Sequence, residues 1–163
     1  MANLPSASAQ TPAEEEVVTQ TCAYNLITET KVCVASDADL AKAVKDETGY
    51  TLLPASAMPE EGLASRSIVT PMATYIIAEL YTWPSYSGTR WVVTASGDCG
   101  TWQIGDFSVN GWSNDVDSFK SFGKCKTTLY DNKNFGGAKI TGVDLANLGA
   151  MQNQAESGKW TKA

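Results

Sequence analysis

Two short β-prone runs open the patterned part of the chain, Cys22 to Ile27 and Lys31 to Ala35, on either side of Thr28-Glu29-Thr30. Their β-branched and aromatic content predicts a hairpin. The period then lengthens: Leu40, Ala43 and Val44 fall on one face of a helix predicted over about residues 37–47. Ser36 with Asp39 three positions on reads as a capping box at its start, and Gly49 as its stop. Residues 54–71 carry three Pro, Gly62 and Glu60-Glu61 and read as a linker or an irregular packed segment. After residue 73 the pattern is short β runs broken by Gly, Asn, Asp and Ser, as in an antiparallel sandwich or barrel.

Composition divides the chain at the same place. Residues 1–72 hold ten acids and four bases, whereas residues 73–163 hold eight of each, so the whole net charge of -6 belongs to the first part. All five Trp and all four Phe lie after residue 75. Residues 1–20 are rich in Ala, Ser, Thr and Pro around Glu14-Glu15-Glu16, a composition that cannot bury enough apolar surface to order itself, and so read as a flexible or partner-ordered tail. Three regions result: the tail, a hairpin and helix segment with its linker over 21–72, and a β domain over 73–163.

The absence of histidine removes Ser-His-Asp triads, Cys-His dyads and histidine-ligated metals. The acidic balance argues against nucleic acid or an anionic membrane as partner. No stretch spans a bilayer, because the longest apolar segment, Met72 to Tyr81, is short and contains Glu79. The start, Met-Ala-Asn-Leu-Pro, lacks the basic residues and the apolar run of roughly seven or more of a signal peptide. Cys22, Cys33, Cys99 and Cys125 nevertheless form no Cys-x-x-Cys pair and divide two per region, which predicts two disulfides, Cys22 with Cys33 and Cys99 with Cys125, although three connectivities are open. Disulfides imply a secreted or extracellular protein, or one on the surface of an assembly.

An internal duplication is the most informative feature. Residues 79–88 align without gaps on 128–137, and both read Leu-Tyr, four residues, an aromatic, one residue, Gly. Further on, residues 112–120 align on 151–159, each with an Asn, an acid, then Ser and, two residues later, Lys. The repeats differ in length, since Gly88 to Ser118 spans thirty positions and Gly137 to Ser157 twenty. The extra residues fall within Ala95 to Gly111 and include Cys99, Trp102, Ile104 and Phe107. A tethered loop of that length with apolar side chains is a candidate protein-binding loop.

These paired signatures resemble the βγ-crystallin Greek-key motif over about residues 75–163. The resemblance implies a mainly β fold, a two-Greek-key βγ-crystallin-like sandwich, preceded here by a small α+β segment. It implies that Tyr81 with Tyr86 and Tyr130 with Phe135 clamp folded hairpins, that Gly88 and Gly137 supply positive φ, and that Ser118 and Ser157 hydrogen-bond those hairpins. It also implies two calcium sites, each drawing on both repeats. The ligand segment falls on Asn114, Asp115 and Asp117 in the first repeat and on Asn153, Gln154 and Glu156 in the second, with Asp131 and Thr82 as further contributors. Asp117 and Glu156 stand where the family has Ser or Thr, so charge and side-chain length both depart from the pattern. Calcium takes six to eight hard oxygen ligands, which Asn, Asp and loop carbonyls supply.

Three functions compete. A non-catalytic calcium-binding module of structure or recognition follows from the motifs. The Cys-Ala-Tyr-Asn hairpin, the short helix and the segment from Trp112 to Lys120 are similar to small secreted actinobacterial proteins grouped with the Streptomyces metalloproteinase inhibitor and killer-toxin-like family, implying a protease inhibitor or toxin. A coat, filament or virion-surface protein would use the tail for self-assembly with neighbouring copies. No enzyme is expected, although Asp98, Asp106 and Asp115 are carboxylates in loops.

Overall fold

A computed structural model describes residues 19–35, 38–59, 72–97 and 99–163. The hairpin is β1 (Gln20–Asn25) and β2 (Thr30–Ala35), and its turn takes in Leu26 to Glu29, slightly earlier than expected. Cys22 and Cys33 face each other directly across it and are disulfide-bonded. The helix, α1 (Leu40–Thr48), starts later than the capping box predicts: Asp39 is the N-cap, its carboxylate accepting from the Lys42 amide at 3.0 Å. Ser36 and Asp37 lie outside the described residues. Gly49 ends the helix at φ +76°, as expected. Of the expected linker, β3 (Thr51–Leu53) precedes it, a 3₁₀ turn Ala55–Ala57 opens it, and residues 60–71 lie outside the described residues.

Two Greek keys follow. The first runs β4 (Ala73–Trp83), β5 (Ser87–Ala95), β6 (Trp102–Ile104) and β7 (Ser118–Ser121). The second runs β8 (Cys125–Asn132), β9 (Gly136–Gly142), β10 (Asp144–Leu145) and β11 (Ser157–Lys162). A small sheet has the order β6-β11-β8-β9, and a large one the order β10-β7-β4-β5-β1-β2, with β3 pairing the first residues of β4. Each repeat therefore lends its third strand to the other's sheet, β6 pairing β11 and β10 pairing β7. This is the mainly β, two-Greek-key βγ-crystallin-like sandwich that the motifs predict, carrying a hairpin and helix ahead of it.

The folded hairpins are alike in detail. Ser85, Tyr86 and Gly88 have φ of 58°, 59° and 80°, and Asn134, Phe135 and Gly137 have 55°, 66° and 73°. Left-handed backbone at non-glycine residues costs free energy, so something must hold it. The Ser118 hydroxyl donates to the Trp83 carbonyl at 2.7 Å and accepts from the Tyr86 amide at 3.1 Å. Ser157 does the same between Asn132 (2.7 Å) and Phe135 (3.0 Å). Tyr81 meets Tyr86, and Tyr130 meets Phe135, edge to face at 5.8 Å. A Cβ on Gly88 would run into Thr82, and one on Gly137 into Asp131.

The main core lies between the sheets, where Ile77, Leu80, Phe119, Leu129 and Trp160 are fully buried. Trp112 stacks on Trp91 with ring centroids 5.1 Å apart and takes the edges of Tyr24 and Phe107. Tyr24 belongs to β1, so the first hairpin shares this core, and β1 also pairs in parallel with β5 from Thr21↔Arg90 to Asn25↔Thr94. A second apolar cluster covers the outer side of the large sheet, where Leu40 and Val44 of α1 pack on Ala23, Val32 and Val92.

Ser118→Ala or Ser157→Ala removes one donor and one acceptor at a fully buried position. Each is expected to lower unfolding free energy in urea by about 1–3 kcal/mol, because a carbonyl and an amide are left unpartnered.

Candidate metal-binding loops

The two loops before the hinge serines meet across the pseudo-twofold relating the repeats. The Asn114 amide donates to the Ala155 carbonyl at 2.9 Å and the Asn153 amide to the Val116 carbonyl at 3.2 Å. Asn114 and Asn153 both adopt left-handed backbone, with φ of 57° and 52°. Asn tolerates this conformation better than most side chains. The Asp117 and Glu156 amides are anchored on the Tyr81 and Tyr130 carbonyls, at 2.9 and 2.8 Å.

Each acid consequently faces the other repeat's Asn. Asp117, buried to 6% exposure, accepts from the Asn153 backbone amide at 2.9 Å through Oδ1, and its Oδ2 lies 3.5 Å from Asn153 Nδ2. Glu156 Oε1 lies 3.4 Å from Asn114 Nδ2. The longer Glu side chain reaches its Asn only through the side-chain amide, so the two loops are not equivalent. Asp115 lies in the first loop between Asn114 and Asp117, its carboxyl pushed up from its ordinary value by burial and then by the Asp117 charge. Gln154 is exposed. Asp131 follows Tyr130, whose carbonyl anchors the Glu156 amide, into the second folded hairpin, where it lies beside Gly137 and Asn132 with a buried Oδ1 that has no hydrogen-bond partner. Thr82, its counterpart, accepts from the Thr89 amide at 3.0 Å. Among the described residues no three Asp, Glu or Cys side chains converge as a metal cluster, so any ion here rests on Asp117, with Asp115 near it, or on Glu156, together with amide and main-chain oxygens.

The inserted loop of the first repeat departs from the expectation of an apolar binding face. Phe107 is fully buried and Ile104 is 7% exposed, both inside the core, and Trp102 is partly buried against it. They fill space that the sandwich would otherwise leave open, so the loop's exposed apolar residue is Val109, on the 3₁₀ turn Phe107–Asn110. Cys99 is bonded to Cys125, as expected. The sequence reading missed what holds this turn. Asp106 accepts from the Ser108 amide at 2.8 Å and hydroxyl at 2.6 Å, and pairs with Lys133 of the second folded hairpin at 2.9 Å. An Asp followed two residues later by Ser is a legible cap signal, whereas the Lys133 contact depends on tertiary placement. Asp98 lies outside the described residues.

No protein-family model and no curated protein matches the chain. Solved βγ-crystallin domains resemble part of it. A domain from Clostridium beijerinckii is 19% identical over 53% of this chain and 99% of its own, with a TM-score of 0.45. The N-terminal domain of protein S is 20% identical over 53% of this chain and 97% of its own, also at 0.45. A βγ-crystallin from Ciona intestinalis is 14% identical over 53% and 98%, at 0.42.

The Ser108 side chain first, then Lys133, hold the Asp106 carboxyl down at about 2. A depressed carboxylate stabilises the fold above its unfolded value of roughly 3.9, and that contribution is lost as pH falls towards about 2. Carboxyl NMR titration is expected to place the Asp106 midpoint well below those of exposed acids, and Ser108→Ala or Lys133→Met to raise it.

Proposed function

We propose that this chain is a non-catalytic structural or recognition module of the βγ-crystallin type that binds calcium in its two loops. The observation that carries this reading is the placement of each repeat's acid against the other repeat's Asn, at 3.5 and 3.4 Å. Oxygens about 2.4 Å from a calcium ion and roughly at right angles stand about 3.4 Å apart. Turning either Asn amide over, which preserves its shape, puts a second oxygen where its nitrogen now faces the carboxylate. The set is one carboxylate, one amide and loop carbonyls, all hard oxygen donors, and it suits a weak extracellular type of site. The two disulfides agree with an oxidising compartment, and secretion is part of the proposal.

With a dissociation constant of about 0.1 mM at each site, about 1 mM calcium would add about 1.4 kcal/mol per site and about 2.8 kcal/mol for both, or roughly 6–11 °C in Tm for a chain of this size. Asp117→Asn and Glu156→Gln are each expected to remove part of that rise. A melting temperature unmoved by calcium would overturn the metal reading.

A protease inhibitor is a second reading. It is favoured by Val109, 73% exposed on a short turn fastened by the Asp106–Lys133 ion pair, since a rigid loop loses little entropy on entering a cleft. Absence of inhibition across a metalloproteinase panel at about micromolar protein would exclude it.

A further inference from the structure

The outer sides of the two sheets are treated differently. The large sheet is covered by α1 and by Tyr50 and Leu52, which pack over Val92 and Ile76. No described element covers the small sheet. Leu129, Trp160, Ile104 and Ile140 point into the core, and side chains alternate along strands. Lys126 and Thr128 on β8, Lys159 and Thr161 on β11, and Lys139 and Thr141 on β9 therefore face outward. Lys139 and Thr141 are exposed, while Lys126, Lys159 and Thr161 are partly so.

This face carries three lysines and no acid, on a protein of net charge -6. The first repeat shows what is missing. There Glu79 occupies the place of Thr128, pairs with Arg90 at 3.1 Å and stands opposite Lys120 in register. Thr128 instead shares a hydrogen bond with Thr141 at 2.9 Å. Among the described residues the ion pairs are Lys42–Asp46, Arg90–Glu79 and Lys133–Asp106, none of which uses these three lysines. The Lys159 ammonium lies 4.1 Å over the Phe135 ring, a contact that leaves its charge in place. Register places Lys159 opposite Thr128, Lys126 opposite Thr161 and Lys139 opposite Tyr130. With strands about 4.8 Å apart and a rise of about 3.4 Å per residue, the three Cα positions form a triangle of roughly 8, 12 and 14 Å.

The complementary charge is in the same chain. Glu14-Glu15-Glu16 is its longest run of acids, and it lies four to six residues before β1. Carboxylates two residues apart on an extended chain stand about 7 Å apart, close to the shortest lysine spacing. Reach limits contact with the molecule's own face. The six residues from Glu14 to β1 span at most about 21 Å, and β1 belongs to the large sheet. A path round the edge of the sandwich needs about 10 Å between sheets and about 5 Å more from β6 to β11, or about 10 Å to β8, so the full run cannot lie across all three lysines of its own molecule.

We propose that the lysine-bearing outer face of the small sheet is a self-assembly surface that takes the Glu14-Glu15-Glu16 stretch of a second copy of this chain. The assembly is held by charge and so is governed by salt, independently of calcium. Sedimentation velocity of the full chain over a concentration series tests it at an ionic strength of about 10 mM, where the Debye length is roughly 30 Å, and at about 1 M, where it is roughly 3 Å.

Concentration-dependent association is expected at low salt and its loss at high salt. K126E/K139E and E14Q/E15Q/E16Q are each expected to abolish it while leaving the circular dichroism spectrum and Tm unchanged. Mixing K126E/K139E with E14K/E15K/E16K chains, each monomeric alone, is expected to restore association. A wild-type chain that stays monomeric at low salt overturns the proposal, as does association indifferent to both sets of substitutions. A concentration-independent compaction abolished by both sets would mean that the stretch binds its own molecule. Binding of polyglutamate without self-association would mean that the face serves an external acidic partner. Either result overturns assembly through a second copy.

Discussion

Everything distinctive about this molecule hangs on a serine hydroxyl used twice. Ser118 and Ser157 each bond both arms of a folded hairpin, giving a proton to one and taking one from the other. That bridge and the edge-to-face ring pair of the same hairpin together hold the left-handed residues in each turn, whose conformation costs free energy on its own. The bridge also sets the loops, since Asp117 and Glu156 immediately precede the two serines and inherit their position. Lys120 and Lys159 follow two residues later and come to rest over Tyr86 and Phe135, each at 4.1 Å. Hinge, carboxylate and aromatic cover are thus one unit, built twice.

Much of that unit was legible before any coordinates. The spacing from Leu-Tyr to Gly located both folded hairpins, because their ring contacts and turns depend on short separations, and the later Asn, acid and Ser located both loops because the pattern recurs in each repeat, although the contacts themselves cross between distant segments. The cysteine pairing was legible because one pair falls in each region. The start of α1 was misread because Ser36 and Asp39 are both good caps, and the hydrogen bond to Lys42 is what chooses between them.

Long-range consequences were not legible. Trp102, Ile104 and Phe107 look like surface in a long loop, yet the sandwich needs them as filling, and only the placement of Trp112 and Trp160 reveals that need. The parallel pairing of β1 with β5 joins residues about 70 positions apart, which no periodicity encodes. The lysine face was hidden in a similar way. Alternation says that Lys126, Lys139 and Lys159 point to one side of their own strands, but only the register of β11, β8 and β9 says that these sides are the same.

The exchange of β6 and β10 between sheets bears on ancestry as well as on stability. Neither repeat can complete its own sheet, since each borrows its third strand from the other. A single repeat on its own would therefore expose two unsatisfied strand edges, and two separate copies could satisfy them by lending strands to each other. A chain built this way is, in effect, a homodimer whose halves have been joined end to end. Joined halves need not stay alike: one carries an inserted loop, a cover of helix and a balancing glutamate, and the other a threonine whose hydroxyl bonds its neighbour on the next strand.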